Sequence, residues 1–226
     1  MAGMTPLRVF IGYDPRQPVA FQTLAHSIWD QASGPVSITR LQLNQLPIER
    51  RGLTEFTYSR FLVPHLCGYE GVGLFVDSDF ICRSDVSELW AYPLAYPDVS
   101  VFICKNKLKF EWPSLMLFNV SNCKRLTPAY IQDGTHKCFD FAWADKVGEL
   151  PLGWNHLVGY DEPNPDARMV HFTQGIPCWP ETKECEYHEE WVQYAKQAIS
   201  TVSFQDLMGQ SVHAKPVYYR LAAEGN

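Results

Sequence analysis

Gly73-Leu74-Phe75-Val76-Asp77-Ser78-Asp79 is a short run of large apolar residues that stops at two acidic ones. Such a run predicts a buried central strand whose end opens into a polar loop. Upstream, residues 7–11 form a second apolar run, ended by Gly12. Residues 17–31 place Val19, Leu24, Ile28 and Trp29 at helical spacing. Residues 37–41 alternate and predict another strand. Residues 53–66 predict a helix with Phe56, Phe61 and Leu62 inward. This β-α-β-α-β order predicts an α/β domain with a parallel or mostly parallel sheet. Ligands of such sheets bind at the carboxyl ends of the strands, where Asp14, Asp77 and Asp79 would meet.

Downstream, residues 80–82 continue in extended form and residues 85–90 suit a helical turn. Residues 99–104 and 114–119 predict strands, with 105–113 as their connection. Residues 140–146 predict a helix, 150–155 a turn-rich loop and 169–172 a short strand. Residues 187–199 predict an amphipathic helix. The tail, 211–226, carries no signal, and its tip is expected to fray.

Composition narrows the function classes. The 226 residues suffice for one compact domain, and 46% hydrophobic with 19% charged residues excludes a disordered chain. Lys and Arg number 19 against 25 Asp and Glu, a net charge of -6, which argues against a nucleic-acid partner. Seven cysteines, an odd number with no C-x-x-C pair, argue against a disulfide framework or a zinc ribbon. The N-terminus is too short and too charged before the first strand for a signal peptide, and no apolar run reaches membrane-spanning length. A cytoplasmic location is expected.

The Asp77-x-Asp79 pair fits two descriptions. It is a solvated turn, or two carboxylates whose mutual repulsion favours a cation between them. Oxygen ligands suit Mg²⁺ or Mn²⁺ bridging to phosphates. His171 is a strand-end histidine, or a nitrogen ligand that tilts the preference toward Mn²⁺. Gly12-Tyr13-Asp14 is a strand-to-helix turn, or a site where the glycine admits a ligand, Tyr13 stacks on a base and Asp14 accepts a hydrogen bond. It is neither a Walker loop nor a G-x-G-x-x-G. Arg60 is a snorkelling surface residue or a buried anion clamp.

Taken in order, these segments resemble the GT-A glycosyltransferases, closest to the retaining, metal-dependent group that includes glycogenin and lipopolysaccharide galactosyltransferases. The resemblance runs through Val9-Phe10-Ile11-Gly12-Tyr13-Asp14 and Tyr58-Ser59-Arg60-Phe61-Leu62-Val63-Pro64. It is strongest from Gly73 to Asp79 with Asp85-Val86-Ser87-Glu88-Leu89-Trp90. Leu115-Met116-Leu117-Phe118-Asn119, Leu150-Pro151-Leu152-Gly153-Trp154-Asn155 and His171-Phe172-Thr173-Gln174-Gly175 follow. The similarity implies a single GT-A domain, with a nucleotide-binding half at about 1–92 and a donor and acceptor half at about 93–226. It implies Asp77, Asp79 and His171 as ligands of Mn²⁺ or Mg²⁺ on a nucleotide-sugar diphosphate, with UDP favoured. Gly12, Tyr13, Asp14 and Ser78 would contact the nucleoside, and Arg60 the diphosphate or sugar. Asn119, Trp154, Asn155 and Gly175 would line the sugar and acceptor end.

The family's lysine after the histidine is absent here, and so is its acidic "DQ" pair, for which Asp140 is the nearest acidic residue. Asp140 would be the base if transfer inverts. The acceptor would be a saccharide, a glycolipid or a protein. The rival readings are a sugar-nucleotide nucleotidyltransferase and a non-catalytic nucleotide-sugar-binding protein.

Overall fold

The computed structural model describes residues 6–199. The chain runs β1 (Leu7–Gly12), α1 (Pro18–Gln31), β2 (Val36–Leu41), α2 (Val63–Leu66), β3 (Val72–Val76), β4 (Phe80–Cys82) and α3 (Ala91–Ala95). It continues with β5 (Val101–Ile103), β6 (Leu115–Asn119), α4 (Pro128–Gln132), β7 (Val147–Glu149), β8 (His156–Leu157), β9 (Met169–His171) and α5 (His188–Ile199). The expectations for 211–226 and for the extreme N-terminus lie outside the described residues. Among the described residues no helix is long and apolar enough to cross a membrane.

Six strands form the main sheet in the order β2-β1-β3-β6-β5-β7. β1 pairs in parallel with β2 and β3, and β5 with β7, while β6 runs against both of its neighbours. Side chains of a strand alternate between faces, and the apolar runs therefore feed two cores. Phe10, Phe75, Met116 and Phe118 pack on one face with Phe61 and Trp143. Val9, Ile11, Leu74, Val76, Leu115 and Leu117 pack on the other with Leu24, Ala25 and Ile28 of α1. Each such side chain contributes roughly 1.5–3 kcal/mol by leaving water. Pro18 opens α1, where its fixed φ suits the first turn and its missing N–H costs nothing.

A second sheet, β4-β9-β8, stands at the carboxyl end of β3. It sets Phe80 opposite His171 in an antiparallel pair. The turn between β3 and β4 is the Asp77-Ser78-Asp79 segment, so the two sheets meet at the acidic pair.

Two expected helices are corrected. Residues 53–58 are turns, followed by a 3-10 helix at Ser59–Leu62 that runs into α2. Thr57 Oγ1 donates to the Thr54 carbonyl and accepts from the Thr54 N–H, both at 2.9 Å, so local side-chain bonds replace the helical ladder. Residues 140–146 are also not a helix. The 3-10 turn Cys138–Asp140 ends at Phe141, which is left-handed at φ 56°. Trp143 Nε1 donates back to the Cys138 carbonyl at 2.9 Å and closes the reversal.

Candidate active site

Asp77 follows the last residue of β3, and its N–H donates to the Ser114 carbonyl at 2.9 Å, continuing the β3–β6 pairing by one step. Asp79 is fixed from the other side, where its carbonyl accepts from the Phe172 N–H at 2.9 Å. The pairing of β4 with β9 then delivers His171, whose ring stacks on Phe80 with centroids 4.1 Å apart. Ligand-type atoms of Asp77, Asp79 and His171 all lie within 4.8 Å of one another. Arg60, from the 3-10 helix, faces the same point, with Nη2 3.1 Å from Asp77 Oδ1. These four side chains line a cleft of about 380 Å³, together with Leu53, Phe56, Phe110, Glu111, Ser114, Phe139 and Thr173.

The electrostatics of the cluster follow from its burial. Asp77 is 7% exposed, Arg60 6% and His171 2%. Burial lifts the Asp77 carboxyl to about 7, against the opposing pull of the Arg60 guanidinium. Burial also works against the His171 imidazolium, but the carboxylates of Asp79, Glu111 and Asp77 outweigh it and its pKa is raised. Arg60 is a buried cation, not a snorkelling one. Its Nη1 donates to the Pro113 carbonyl at 3.0 Å, and the Phe75 ring centroid lies 5.1 Å from its Cζ.

Several atoms here are left without hydrogen-bond partners: Asp77 Oδ1, Asp79 Oδ1 and Arg60 Nε are buried and unpaired in that sense. Asp77 Oδ1 faces Arg60 as an ion pair but outside hydrogen-bond geometry, and Asp79 Oδ1 is 3.4 Å from His171 Nε2. Buried polar groups normally find partners. Two orphaned carboxylate oxygens beside an imidazole are a donor set that fits Mn²⁺ or Mg²⁺.

Glu111 also lines the cleft, with Oε2 4.0 Å from His171 Nε2. Ser114 Oγ donates to that same oxygen at 2.7 Å. The sequence reading passed over Glu111 because 105–113 read as a plain connection. The alternation Phe110-Glu111-Trp112-Pro113, an acid between aromatics, was the available signal. Asn155 is fully buried and reaches both Glu111 and His171.

The other residues singled out from the sequence fall elsewhere. Asp140 is exposed at the end of its 3-10 turn and does not line the cleft. Asn119 is a correction: because β6 is antiparallel to β3, Leu115 pairs with Val76 near the site and Asn119 with Val72 at the opposite edge. Four steps along the strand separate them, roughly 13 Å, and Asn119 Nδ2 donates to the Pro97 carbonyl. Trp154 is buried in the core, with Arg168 over its ring. At Gly12 the space of a Cβ is filled by Phe56, 2.5 Å away, so the glycine admits a cleft-lining ring at that point. Tyr13 is half-buried, edge-on to Phe21 and under the Arg40 guanidinium at 4.6 Å. The Arg16 guanidinium grips Asp14 and holds its carboxyl below the usual range. Ser78 is buried between the two aspartates. Gly175, at φ 119°, turns the chain after β9, and its N–H donates to the Phe172 carbonyl at 2.8 Å.

No family model matches the sequence. Protein CDI of Arabidopsis thaliana is 32% identical over 225 residues, which cover 83% of this chain and 85% of that protein. Three solved glycosyltransferases share the fold. The galactosyltransferase LgtC, in complex with donor and acceptor sugar analogues, matches with a TM-score of 0.58 and 11% identity over 88% of this chain and 99% of its own. GlyE of Streptococcus pneumoniae TIGR4 matches at 0.63 and 16% identity, over 96% of this chain and 64% of its own. The bifunctional WbbM matches at 0.62 and 16% identity over 97% of this chain, which spans about half (52%) of the WbbM chain. The chain thus belongs to the family of Arabidopsis Protein CDI, and its fold is that of the GT-A glycosyltransferases.

Proposed function

We propose that this protein transfers a sugar from a nucleotide-sugar donor, a UDP-sugar, to a saccharide, glycolipid or protein acceptor, with retention and with Mn²⁺ or Mg²⁺. The observation that carries this reading is the convergence of Asp77, Asp79 and His171 beside Arg60 at the carboxyl end of β3. The fold neighbours support it, LgtC having been solved with donor and acceptor sugar analogues. In this reading residues 1–92 serve the nucleotide and 93–226 the sugar and acceptor. The unpaired cysteines, five of them buried, support a reducing, cytoplasmic setting.

Breaking the anomeric C–O bond leaves negative charge on the departing diphosphate. Asp77 and Asp79 present carboxylate oxygens, and His171 a ring nitrogen, to one point on the cleft wall. A divalent cation held by these three residues would supply Lewis-acid stabilisation of the leaving group. Arg60 performs two tasks. Its charge pulls the buried Asp77 carboxyl back toward its ionised form against the larger effect of burial, and it adds fixed positive potential to the wall that faces the diphosphate. Phe56 and Phe139 help keep water from the guanidinium. No protein nucleophile is needed if the acceptor attacks from the face the diphosphate leaves. An inverting reaction would need a carboxylate base, and the acid that lines the cleft beside the Asp77 and Asp79 pair is Glu111, not Asp140.

The test is a panel of UDP-sugars incubated with the protein in Mn²⁺ or chelator, with release of UDP as the readout. Turnover should require the metal. Asp79→Ala should lower it about 10²- to 10³-fold, with an unchanged circular dichroism spectrum. Full transfer by Asp79→Ala in chelator would reject the metal-dependent reading.

A further inference from the structure

Asn155 ends the 3-10 turn Leu152–Asn155 and is fully buried. Its Nδ2 donates to the Glu111 carbonyl at 3.1 Å. A carbonyl oxygen only accepts, so the amide orientation is fixed and Oδ1 is the atom turned toward His171. That oxygen lies 3.0 Å from His171 Nδ1. An amide oxygen also only accepts, so Nδ1 must carry the hydrogen, and the unprotonated nitrogen of the neutral ring is Nε2. Nε2 is the atom that faces Asp79 Oδ1 at 3.4 Å. The Phe80 stack fixes the plane of the ring, and Asn155 fixes which of its ends is a donor.

We infer that Asn155 is a positioning residue of the cluster: its amide holds His171 as the Nδ1–H tautomer and thereby offers Nε2 to a divalent cation beside the Asp77 and Asp79 carboxylates. The cation half of this inference rests on the proposed function. The tautomer half is a property of the metal-free chain. Without Asn155 Oδ1, the carboxylate oxygens of Asp79 and Glu111, at 3.4 and 4.0 Å from Nε2, draw the hydrogen to the Nε2 side. The hydrogen would then occupy the position a metal needs.

The experiment combines ¹⁵N-histidine NMR of the metal-free full chain, above the pH at which the ring titrates, with calorimetric titration of MnCl₂ alone. The His171 signals are identified by their loss in His171→Gln. The wild type should show the Nδ1–H pattern. Asn155→Leu, close in volume, should show the Nε2–H pattern and bind Mn²⁺ about 10- to 100-fold more weakly. Asn155→Asp keeps an acceptor at Nδ1 and loses the donor to Glu111, so it should keep the Nδ1–H pattern and near wild-type Mn²⁺ affinity. An Nε2–H pattern in the wild type would overturn the inference. So would wild-type Mn²⁺ affinity in Asn155→Leu, or equal loss in both variants, which would make Asn155 a spacer for the Glu111 segment. A wild type with the Nδ1–H pattern that binds no Mn²⁺ would overturn the proposed function and the cation half together, and leave the tautomer assignment standing.

Discussion

Leu74 and Asp77 stand three residues apart, and both are almost fully buried, at opposite cost. Leu74 lies between Val9 of β1 and Leu117 of β6, and its burial stabilises the sheet. Asp77 leaves the same sheet into a wall of carboxylates, an imidazole and a guanidinium, and its burial opposes its own charge. The sheet is held by apolar area, which is non-directional and strong. The cleft is held by directional bonds: Asn155 to Glu111 and His171, Ser114 to Glu111, Arg60 to Pro113. The first region stabilises the fold. The second spends part of that stability to keep charges poised.

The largest expected difference lies in stability. Leu74→Ala should cost about 2–5 kcal/mol in urea unfolding, because neighbours on both strands leave it little room to collapse. Ser114→Ala, equally buried but removing one hydrogen bond to Glu111, should cost only about 0.5–1.5 kcal/mol. Equal losses at the two positions would break the comparison. A smaller effect is expected from pH. The Asp77 carboxyl is raised from 3.8 to about 7 in the folded chain. Between those values the native state holds more protons than the unfolded one, so stability of the metal-free protein should fall as pH rises from about 4 to about 7. His171, also raised, extends the fall above its ordinary pKa of 6.5. Asp77→Asn should flatten the slope below pH 7, and Mn²⁺ should offset the fall because its ligands must be deprotonated. Thermal melts across this range read both, and identical slopes in wild type and Asp77→Asn would remove Asp77 as the cause.

The same division explains what could be read from the sequence. β1 and β3 were legible because apolar runs mark strands made by burial, α1 because Leu24 and Ile28 recur at helical spacing, and β2 because its residues alternate. Residues 53–58 and 140–146 were misread as helices, since Thr54–Thr57 bonds and a left-handed Phe141 leave no periodic trace. The grouping of Asp77, Asp79, His171 and Arg60 around one cleft was implied by the family resemblance, while residue type and spacing alone left each of them a plain structural reading. Glu111 was missed, because it enters by a 3-10 segment between two strands. Asn119 was drawn to the site by its motif, but the antiparallel direction of β6 carries it to the far edge. Strand direction is a tertiary property that periodicity does not encode.

The cation site at Asp77, Asp79 and His171 is tested most directly by a crystal grown with Mn²⁺ and measured at a wavelength where manganese scatters anomalously. The expected result is one peak bonded to carboxylate oxygens of Asp77 and Asp79 and to Nε2 of His171, with Nδ1 still on the Asn155 amide. A cleft with no anomalous peak, or an imidazole bonded through Nδ1, would contradict it.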